Sequence, residues 1–242
     1  MKTTTATKTN TRFLFGYSVM IALFSLTITR DALSQTIVNG SLTGTPGENR
    51  VPFGWVQYLG NTSDTANENG PFGTYNLSPD GGTFVRSFGT GVNHPQFDQQ
   101  EGILQALSGL QIGMSYNLSF YQSSVNGINS ITGVPFRGSE GFWELLIDGI
   151  VVDTSTPLLP PGGTSFDNMW TFETLQFQAM PGMHELALRA QVPASDVDAR
   201  TFLLIDGISL VQVPEPGISA LIVVGVVALV FLRMRKTPPN PR

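Results

Sequence analysis

Carboxylic acids are the residues of this sequence best suited to catalysis. Hydrolysis of a glycosidic bond needs two carboxyl groups facing each other across the sugar. The glutamates available for it are Glu101, Glu140, Glu144, Glu173 and Glu185. Glu144 and Glu173 stand at alternating strand positions where solvent-facing carboxylates are expected, and neither His94 nor His184 is accompanied by a Gly-x-Ser-x-Gly turn. We therefore predict that the protein is not an enzyme, and a glycan-processing enzyme is the weakest alternative.

Aromatic side chains in loops are the second group suited to chemistry, because a ring can stack on the face of a sugar. Tyr75 and Phe97 lie in predicted loops, where binding residues are common, and are the candidate ligand-binding residues. Trp55, Trp143 and Trp170 are alternatives, although a tryptophan at the start of a strand more often belongs to the core.

Charge limits the classes of partner. The three lysines of the chain are Lys2, Lys8 and Lys236, so residues 35–213 contain none. In that region five arginines stand against sixteen acidic residues, a net charge of −11. Because binding to phosphate backbones depends on clustered cations, this composition argues against nucleic acid and against anionic lipid. The chain has no cysteine, so a packed core must stabilise it.

The elements that position these residues are predicted to be strands. Glycine and proline clusters separate short segments rich in Val, Ile, Phe, Leu and Thr, and helical apolar spacing is absent between the two termini. We predict strands at 54–59, 83–88, 102–107, 115–122, 142–147, 150–154, 170–179, 184–192 and 202–212. Alternation places Trp143, Leu145 and Ile147 on one side of a strand, as in a β-sandwich with one apolar face per sheet.

The hexapeptide Leu-Leu-Ile-Asp-Gly-Ile occurs twice, at 145–150 and at 203–208. An Asp-Gly pair between apolar residues is typical of a two-residue hairpin turn, which requires positive φ at both positions. We predict such a hairpin at Asp148 and Gly149, because apolar residues continue after them. Asp206 and Gly207 fit either a hairpin or a bulge within one closing strand.

The C-terminus has the pattern of a membrane segment. Its parts are Pro214-Glu215-Pro216, an apolar run at 218–232, and the basic residues Arg233, Arg235 and Lys236. Cations beside a membrane segment stay on the cytoplasmic side, so we predict a transmembrane span at 216–232, a cytoplasmic tail at 233–242 and an outward-facing domain upstream. A helix over the apolar run would cover ~22 Å of a hydrocarbon core of ~30 Å, a gap that bilayer thinning and snorkelling would close. A buried core helix is the alternative.

The tripeptide, the single span and the basic tail together resemble the PEP-CTERM sorting signal over 214–242. Met234 and the proline-containing end depart mildly from the usual tail. The resemblance implies that an exosortase recognises Pro214, Glu215 and Pro216, and that the span and tail are removed or replaced during sorting. It also implies a Gram-negative host, an inner-membrane anchor before processing, and a final place on the cell surface or in the extracellular matrix. Two prolines ending a strand before an ordinary anchor are the alternative.

The N-terminus has the pattern of an export signal. Lys2, Lys8 and Arg12 precede an apolar segment at 13–28, and small residues at positions 32 and 34 suit signal peptidase. We predict a signal peptide over 1–34, with cleavage between Ser34 and Gln35, and a mature domain over 35–213. Retention as a second membrane anchor is the alternative.

Several segments of 35–213 resemble galactose-binding-domain-like jelly rolls. They are 38–41, 52–55, 102–120, 181–186 and 204–210. The resemblance implies a jelly-roll β-sandwich in a family of carbohydrate-binding modules and adhesive or matrix domains. It also implies a structural calcium ion where the first and last strands meet, near Asn39, Ser41 and Asp206, because carboxylate and carbonyl oxygens suit that ion. A turn residue beside Gly207 is the alternative role for Asp206.

These features together predict an exported β-sandwich that associates with carbohydrate or exopolysaccharide. The expected partners are the signal peptidase and exosortase that process it, the membrane through its C-terminal span, and a polysaccharide. A structural or adhesive matrix protein without a defined glycan site is the competing class.

Overall fold

The structure is a computed structural model that describes residues 34–35, 37–60, 63–71, 73–91, 100–128, 132–162, 167–182, 185–193, 195, 199–214 and 225. Nearly all of them belong to one compact unit, Ala32–Val213. A second unit comprises Met1–Asp31 and Pro214–Arg242, and only Pro214 and Gly225 of it are described. No helix within the described residues is long and apolar enough to cross a bilayer.

Several sequence predictions therefore fall outside the described residues. They are the signal segment before Ser34, Glu215 and Pro216 of the tripeptide, the span apart from Gly225, the cluster Arg233, Arg235 and Lys236, and Phe97, His94 and His184. These stay predictions.

The described part of the domain contains strands of two to thirteen residues joined by turns and loops. The strands are β1 (Ser34–Gln35), β2 (Val56–Gln57), β3 (Asp64–Ala66), β4 (Phe84–Thr90), β5 (Gly102–Ala106), β6 (Ser115–Val125), β7 (Gly127–Ile128), β8 (Pro135–Phe136), β9 (Phe142–Ile147), β10 (Ile150–Thr154), β11 (Thr171–Gln178), β12 (Glu185–Gln191) and β13 (Arg200–Gln212). A 3₁₀ turn, Tyr58–Gly60, follows β2.

The strands form two antiparallel sheets. The first sheet has the order β11-β6-β13-β4-β3, with β1 paired to the far end of β13. The second sheet has the order β10-β9-β12-β5-β2, and β7 pairs with β8 separately. The prediction of an all-β sandwich is confirmed by this arrangement.

The core lies between the two sheets and follows the predicted alternation. Trp143, Leu145 and Ile147 of β9 are buried there, and so are Leu118 and Phe120 of β6. Because neighbouring residues of a strand point to opposite sides, residues 117, 119 and 121 of β6 project from the other side of the first sheet.

The strand predicted at 54–59 is shorter in the structure. Only Val56–Gln57 is extended, because Gly54 and Leu59 have positive φ of 88° and 54°. The amide of Trp55 donates to the Pro52 carbonyl at 3.1 Å, which closes a turn where the strand was expected to begin.

The two copies of the repeated hexapeptide adopt different structures. Asp148 and Gly149 have φ of 49° and 78° and form the predicted hairpin between β9 and β10. Asp206 and Gly207 lie inside β13, where the register with β6 shifts between Asp206 and Ser209. The second copy is therefore a bulge, which resolves the alternative that the sequence left open.

Strand β1 contains the predicted signal-peptidase site. Ser34 pairs with Val211 and Gln35 pairs with Leu210. Cleavage between Ser34 and Gln35 stays a prediction.

Candidate functional site

The side of the first sheet that faces away from the core has a covered half and an open half. The covered half lies over β4 and the start of β13. Its buried residues are Ala66, Tyr75, Phe84, Phe88, Val125, Phe202 and Leu204, with Phe136 and Trp170 packed against them. The open half lies over β11, β6 and the end of β13.

Tyr75, predicted to stack on a ligand, lies inside the covered half. It is 6% exposed, and its ring meets Phe84 edge-on with centroids 5.7 Å apart. Its hydroxyl donates to the Pro71 carbonyl at 2.6 Å. Protein atoms surround the ring, so this placement favours a packing role over sugar stacking.

The covered half also contains a buried ion pair. Nη1 of Arg86 donates to Oδ2 of Asp64 at 2.9 Å, and the guanidinium lies 4.5 Å from the centre of the Phe202 ring. Burial raises the pKa of Asp64, although the adjacent Arg86 opposes the shift. The charge of Arg86 is thus used within the domain.

Asp206 is a buried acid on the same side of the first sheet, directly opposite Tyr121 of β6. It is 0% exposed. Loss of hydration raises the pKa of Asp206 to about 7, opposed by the Ser78 hydroxyl and the Gly207 amide and reinforced by the charge of Asp80. Neither the hydroxyl nor the amide is placed for a hydrogen bond of good geometry, so both carboxylate oxygens lack a partner among the described residues.

A carboxyl group that titrates near pH 7 has the property required of a general acid. The segment after Ser78 turns over this region, with the Gly81 amide donating to the Ser78 carbonyl at 2.9 Å. Since Asp206 has no exposed surface, a substrate would reach it only after that segment moved.

The predicted calcium ligands are brought only partly together. The Gly40 carbonyl, between Asn39 and Ser41, accepts a hydrogen bond from the Ile208 amide at 2.8 Å, close to Asp206 in sequence. The side chain of Asn39 is engaged within its own loop: Nδ2 donates to the Thr43 carbonyl at 2.9 Å and Oδ1 accepts from the Thr43 amide at 3.0 Å. Ser41 is exposed. Within the described ranges, no group of three or more His, Cys, Asp or Glu side chains is placed to hold a metal ion.

The open half presents three rows of side chains across neighbouring strands. The rows are Tyr121 with Phe172, Ser119 with Thr174 and Ser209, and Asn117 with Gln176 and Val211. We call these eight residues the open face. Sequence reasoning did not single them out; their only signal was strand alternation, which places them opposite the core.

Contacts within each row hold the open face in a defined shape. The rings of Tyr121 and Phe172 meet edge-on with centroids 5.3 Å apart, and Phe172 is 62% exposed. The hydroxyls of Ser119 and Thr174 are 3.0 Å apart. Nε2 of Gln176 donates to Oδ1 of the neighbouring Asn117 at 3.2 Å. The result is an apolar platform followed by hydroxyl and amide groups that both donate and accept hydrogen bonds.

A depression of about 460 Å³ continues the open face at one end. Its lining residues are Ser115, Val152, Gln176, Phe177, Gln178 and Met180. Gln176 belongs to both surfaces, so a bound molecule lying along β11 would extend into the depression.

Carboxylates occupy the outer edge of β11, beside the open face. Oδ2 of Asp153 accepts from the Gln176 amide at 2.8 Å. Oε2 of Glu173 accepts from the Thr156 amide at 2.8 Å. The first of these bonds uses an amide of edge strand β11 that would otherwise be open to a strand from another chain.

Other acids considered from the sequence also have structural partners. Oε2 of Glu101 accepts from the Phe88 amide at 2.8 Å. Glu144 forms an ion pair with Arg189. These contacts account for both carboxylates without a catalytic role.

No protein-family model and no curated protein sequence matches the chain. Among solved structures, the chain is similar to a cyclase from Fischerella sp. TAU in complex with 4-(1H-indol-3-yl)butan-2-one, at 16% identity and a TM-score of 0.50, over 77% of this chain and 100% of that one. It is similar to the Stig cyclase Fisc from Fischerella sp. TAU at 18% identity and a TM-score of 0.49, over 76% and 99%. It is also similar to the CBM22-1 xylan-binding domain of Paenibacillus barcinonensis Xyn10C at 13% identity and a TM-score of 0.41, over 75% and 97%.

At such identities the likeness concerns the fold, a β-sandwich. It nevertheless corrects one prediction. The protein was predicted not to be an enzyme, from the expected solvent-facing carboxylates and the missing serine-nucleophile turn. This prediction is wrong, because a chain of similar fold, at a TM-score of 0.50, is a cyclase. A β-sandwich of this kind is therefore no argument against catalysis.

Proposed function

We propose that this protein is an exported surface or extracellular-matrix protein whose β-sandwich associates with carbohydrate through the open face. The observation that carries the proposal is the order of side chains along β6 and β11: an aromatic pair, a hydroxyl row and an amide row. An aromatic ring covers the apolar surface of a sugar ring. Hydroxyl and amide groups match the mixed donors and acceptors of sugar hydroxyls.

The fold in this proposal is a jelly roll of the galactose-binding-domain-like type. In its support, the two antiparallel sheets pair strands that are distant in the chain, such as β6 with β13 and β5 with β12. Double-sheet sandwiches of this kind commonly carry lectin domains. The fold alone does not assign a ligand, so the proposal depends on the open face.

The proposed export and sorting of the protein are inferred from its sequence. Signal peptidase would remove 1–34, and the apolar run at 218–232 with its basic flank would hold the precursor in the inner membrane. An exosortase would then recognise Pro214-Glu215-Pro216 and release the domain to the surface or matrix of a Gram-negative cell.

A structural calcium ion is the cofactor of this proposal. Asp206 would hold it, since both of its buried oxygens lack partners and hard cations prefer such ligands. Ser41 follows Gly40, whose carbonyl meets β13, and is the proposed source of a further oxygen. Asn39 would contribute only if its side-chain oxygen left the Thr43 amide. The ion would neutralise the buried carboxylate.

The test of carbohydrate association uses the full chain with its own termini, purified in mild detergent. We expect retention on an insoluble polysaccharide, and we expect Phe172→Ala to weaken it roughly tenfold, equivalent to about 1.4 kcal/mol. Phe53→Ala is the matched control, because Phe53 is an aromatic residue that is 83% exposed outside the open face. Equal retention of all three proteins would remove the open face from the proposal.

The test of sorting is intact-mass analysis of the protein recovered from its host. Replacement of Pro214-Glu215-Pro216 by three alanines should leave the span and tail attached and change the location of the protein. An unchanged mass and location would contradict the tag.

A structural or adhesive matrix protein without a glycan site is the competing function. The exposed Ile150 and Val151 of edge strand β10, at 69% and 43%, favour it as apolar contacts for other chains. Under this alternative, Ile150→Lys abolishes retention in the matrix and Phe172→Ala does not.

A further inference from the structure

We infer that the open face selects an uncharged, extended polysaccharide over a polyanionic one. The inference rests on the proposed carbohydrate association and names the class of ligand. It is carried by the chemistry of the face, the location of the arginines and the length of the surface.

The open face is built from neutral side chains. Its members are two aromatic residues, three hydroxyl residues, two amide residues and a valine. The ionisable residues at the bulge beside it are acidic: Asp206 is buried opposite Tyr121, and the Asp80 side chain lies near Gly207, where Tyr121 also packs. A polymer bearing carboxylates or sulfates would therefore meet a like charge there.

The arginines of 35–213 serve other parts of the domain. Arg86 pairs with Asp64 at 2.9 Å, Arg189 pairs with Glu144, and the Arg200 guanidinium lies 3.6 Å from the centre of the Phe136 ring. The remaining two are Arg50, in the loop before β2, and Arg137, which follows β8.

The net negative charge of the domain also disfavours binding of a polyanion. Residues 35–213 contain no lysine and carry a net charge of −11. An acidic domain repels an approaching polyanion, and a cationic cluster on the binding surface would be needed to offset that repulsion. The open face offers hydrogen bonds and ring contact instead.

The length of the surface favours an extended ligand. From Phe172 to Gln178, β11 advances six residues, or ~20 Å at ~3.4 Å per residue. The depression of about 460 Å³ lies at the Gln178 end. A chain of several sugar units would contact the ring pair, both polar rows and the depression, whereas a disaccharide would contact only part of this path.

Affinity electrophoresis of the full chain in mild detergent tests the selection. We expect retardation in gels containing uncharged hydroxyethylcellulose at low and at high salt, and no retardation in gels containing alginate, a polyuronate. Retardation by alginate, weakened by salt, without retardation by hydroxyethylcellulose would overturn the inference while leaving carbohydrate association standing. Retardation by neither polymer would contradict the proposed function itself.

A charge-gain variant makes the test independent of wild-type affinity. Thr174→Arg, at an exposed position of the hydroxyl row, should create salt-sensitive retardation in alginate. Asn49→Arg, exposed in a loop away from the face, is the matched control and should not. Equal retardation of both variants in alginate would show that net charge rather than the open face determines alginate binding. That result would overturn the inference.

Soluble competitors test the length of the ligand. Uncharged hexasaccharide should compete at least roughly tenfold more strongly than the disaccharide of the same sugar, and Gln178→Ala should narrow that difference. Equal potency of the two competitors would contradict an extended binding path.

Discussion

Asp148 and Asp206 occupy the same position in two identical hexapeptides, yet one is solvated and the other is buried. Asp148 is exposed, and its Oδ1 accepts a hydrogen bond from the Glu185 amide at 3.0 Å. Asp206 is 0% exposed, and its two carboxylate oxygens have no partner among the described residues. The hexapeptide is the same in both places, so the neighbouring strands determine which aspartate is buried and loses its hydration.

The buried carboxyl group of Asp206 should make stability depend on pH. Folding raises the pKa of Asp206 from 3.8 to about 7. Between these two pH values the carboxyl group is protonated in the folded protein and ionised in the unfolded chain. The favourable contribution of this group is complete below pH 3.8 and falls as pH rises, until above pH 7 the bare carboxylate destabilises the fold by on the order of a few kcal/mol.

Asp206→Asn should remove most of that slope between pH 4 and pH 7 in urea unfolding, measured with a chelator present. Asp148→Asn is the matched control and should keep the wild-type slope. Added calcium should flatten the wild-type slope if the ion binds at Asp206. An unchanged slope in Asp206→Asn would assign the pH dependence to another group.

Substitution by alanine should lower the stability of the protein by different amounts at Gly149 and at Gly207. Gly149 has φ of 78° and open space around the position of a Cβ atom, so Gly149→Ala should cost about 1 kcal/mol from left-handed backbone strain alone. At Gly207 a Cβ atom would lie 3.0 Å from the Tyr121 ring and 3.3 Å from Asp80.

Gly207→Ala should therefore destabilise the protein more than Gly149→Ala and should also weaken polysaccharide retention, because Tyr121 must shift. Urea unfolding and retention, measured on the same preparations, separate the two effects. Equal losses of stability would mean that the Tyr121 ring moves at little cost.

Asp153→Ala should promote self-association. The change leaves the Gln176 amide at the edge of β11 without its carboxylate partner. Loss of that hydrogen bond should cost about 1 kcal/mol, and the uncovered edge becomes available to a second chain. Sedimentation velocity should show a larger oligomer fraction than for Glu68→Ala, an exposed acidic control; identical profiles would show that the edge is protected by other means.

Asp64→Ala should be strongly destabilising, by roughly 3 to 5 kcal/mol, because it leaves the guanidinium of Arg86 buried without its carboxylate. The double change Asp64→Leu with Arg86→Met should recover much of that loss, since both charges are then removed. Thermal unfolding of the wild type and the two variants checks the order. A double variant no more stable than Asp64→Ala would mean that packing around the pair matters more than charge.

Local sequence was sufficient to predict the longer strands and one turn, but not the short strands β1, β3, β7 and β8. The Asp-Gly pair at 148 and 149 has the backbone that a hairpin requires, with φ of 49° and 78°. The same pair at 206 and 207 could not be assigned from sequence, because the pairing of β13 with β6 on both sides of the bulge, and with β4 up to Ile205, involves strands that are distant in the chain.

The candidate ligand residues were harder to predict, because exposure of an aromatic ring depends on which loops cover it. Tyr75 lies in a loop as predicted, but that loop folds onto β4 and buries the ring. Phe172 lies in a predicted strand, but its side points away from the core and nothing described there covers it beyond Tyr121. Loop coverage is a tertiary property that alternation along one strand does not encode.

The pairing of Gln35 with Leu210 brings the beginning and the end of the folded domain side by side. A linker at either end thus departs from nearly the same point of the sandwich. Joining the two ends by a few glycines and opening the chain at a distant turn should give a permuted protein with the same fold, as for other domains with adjacent termini.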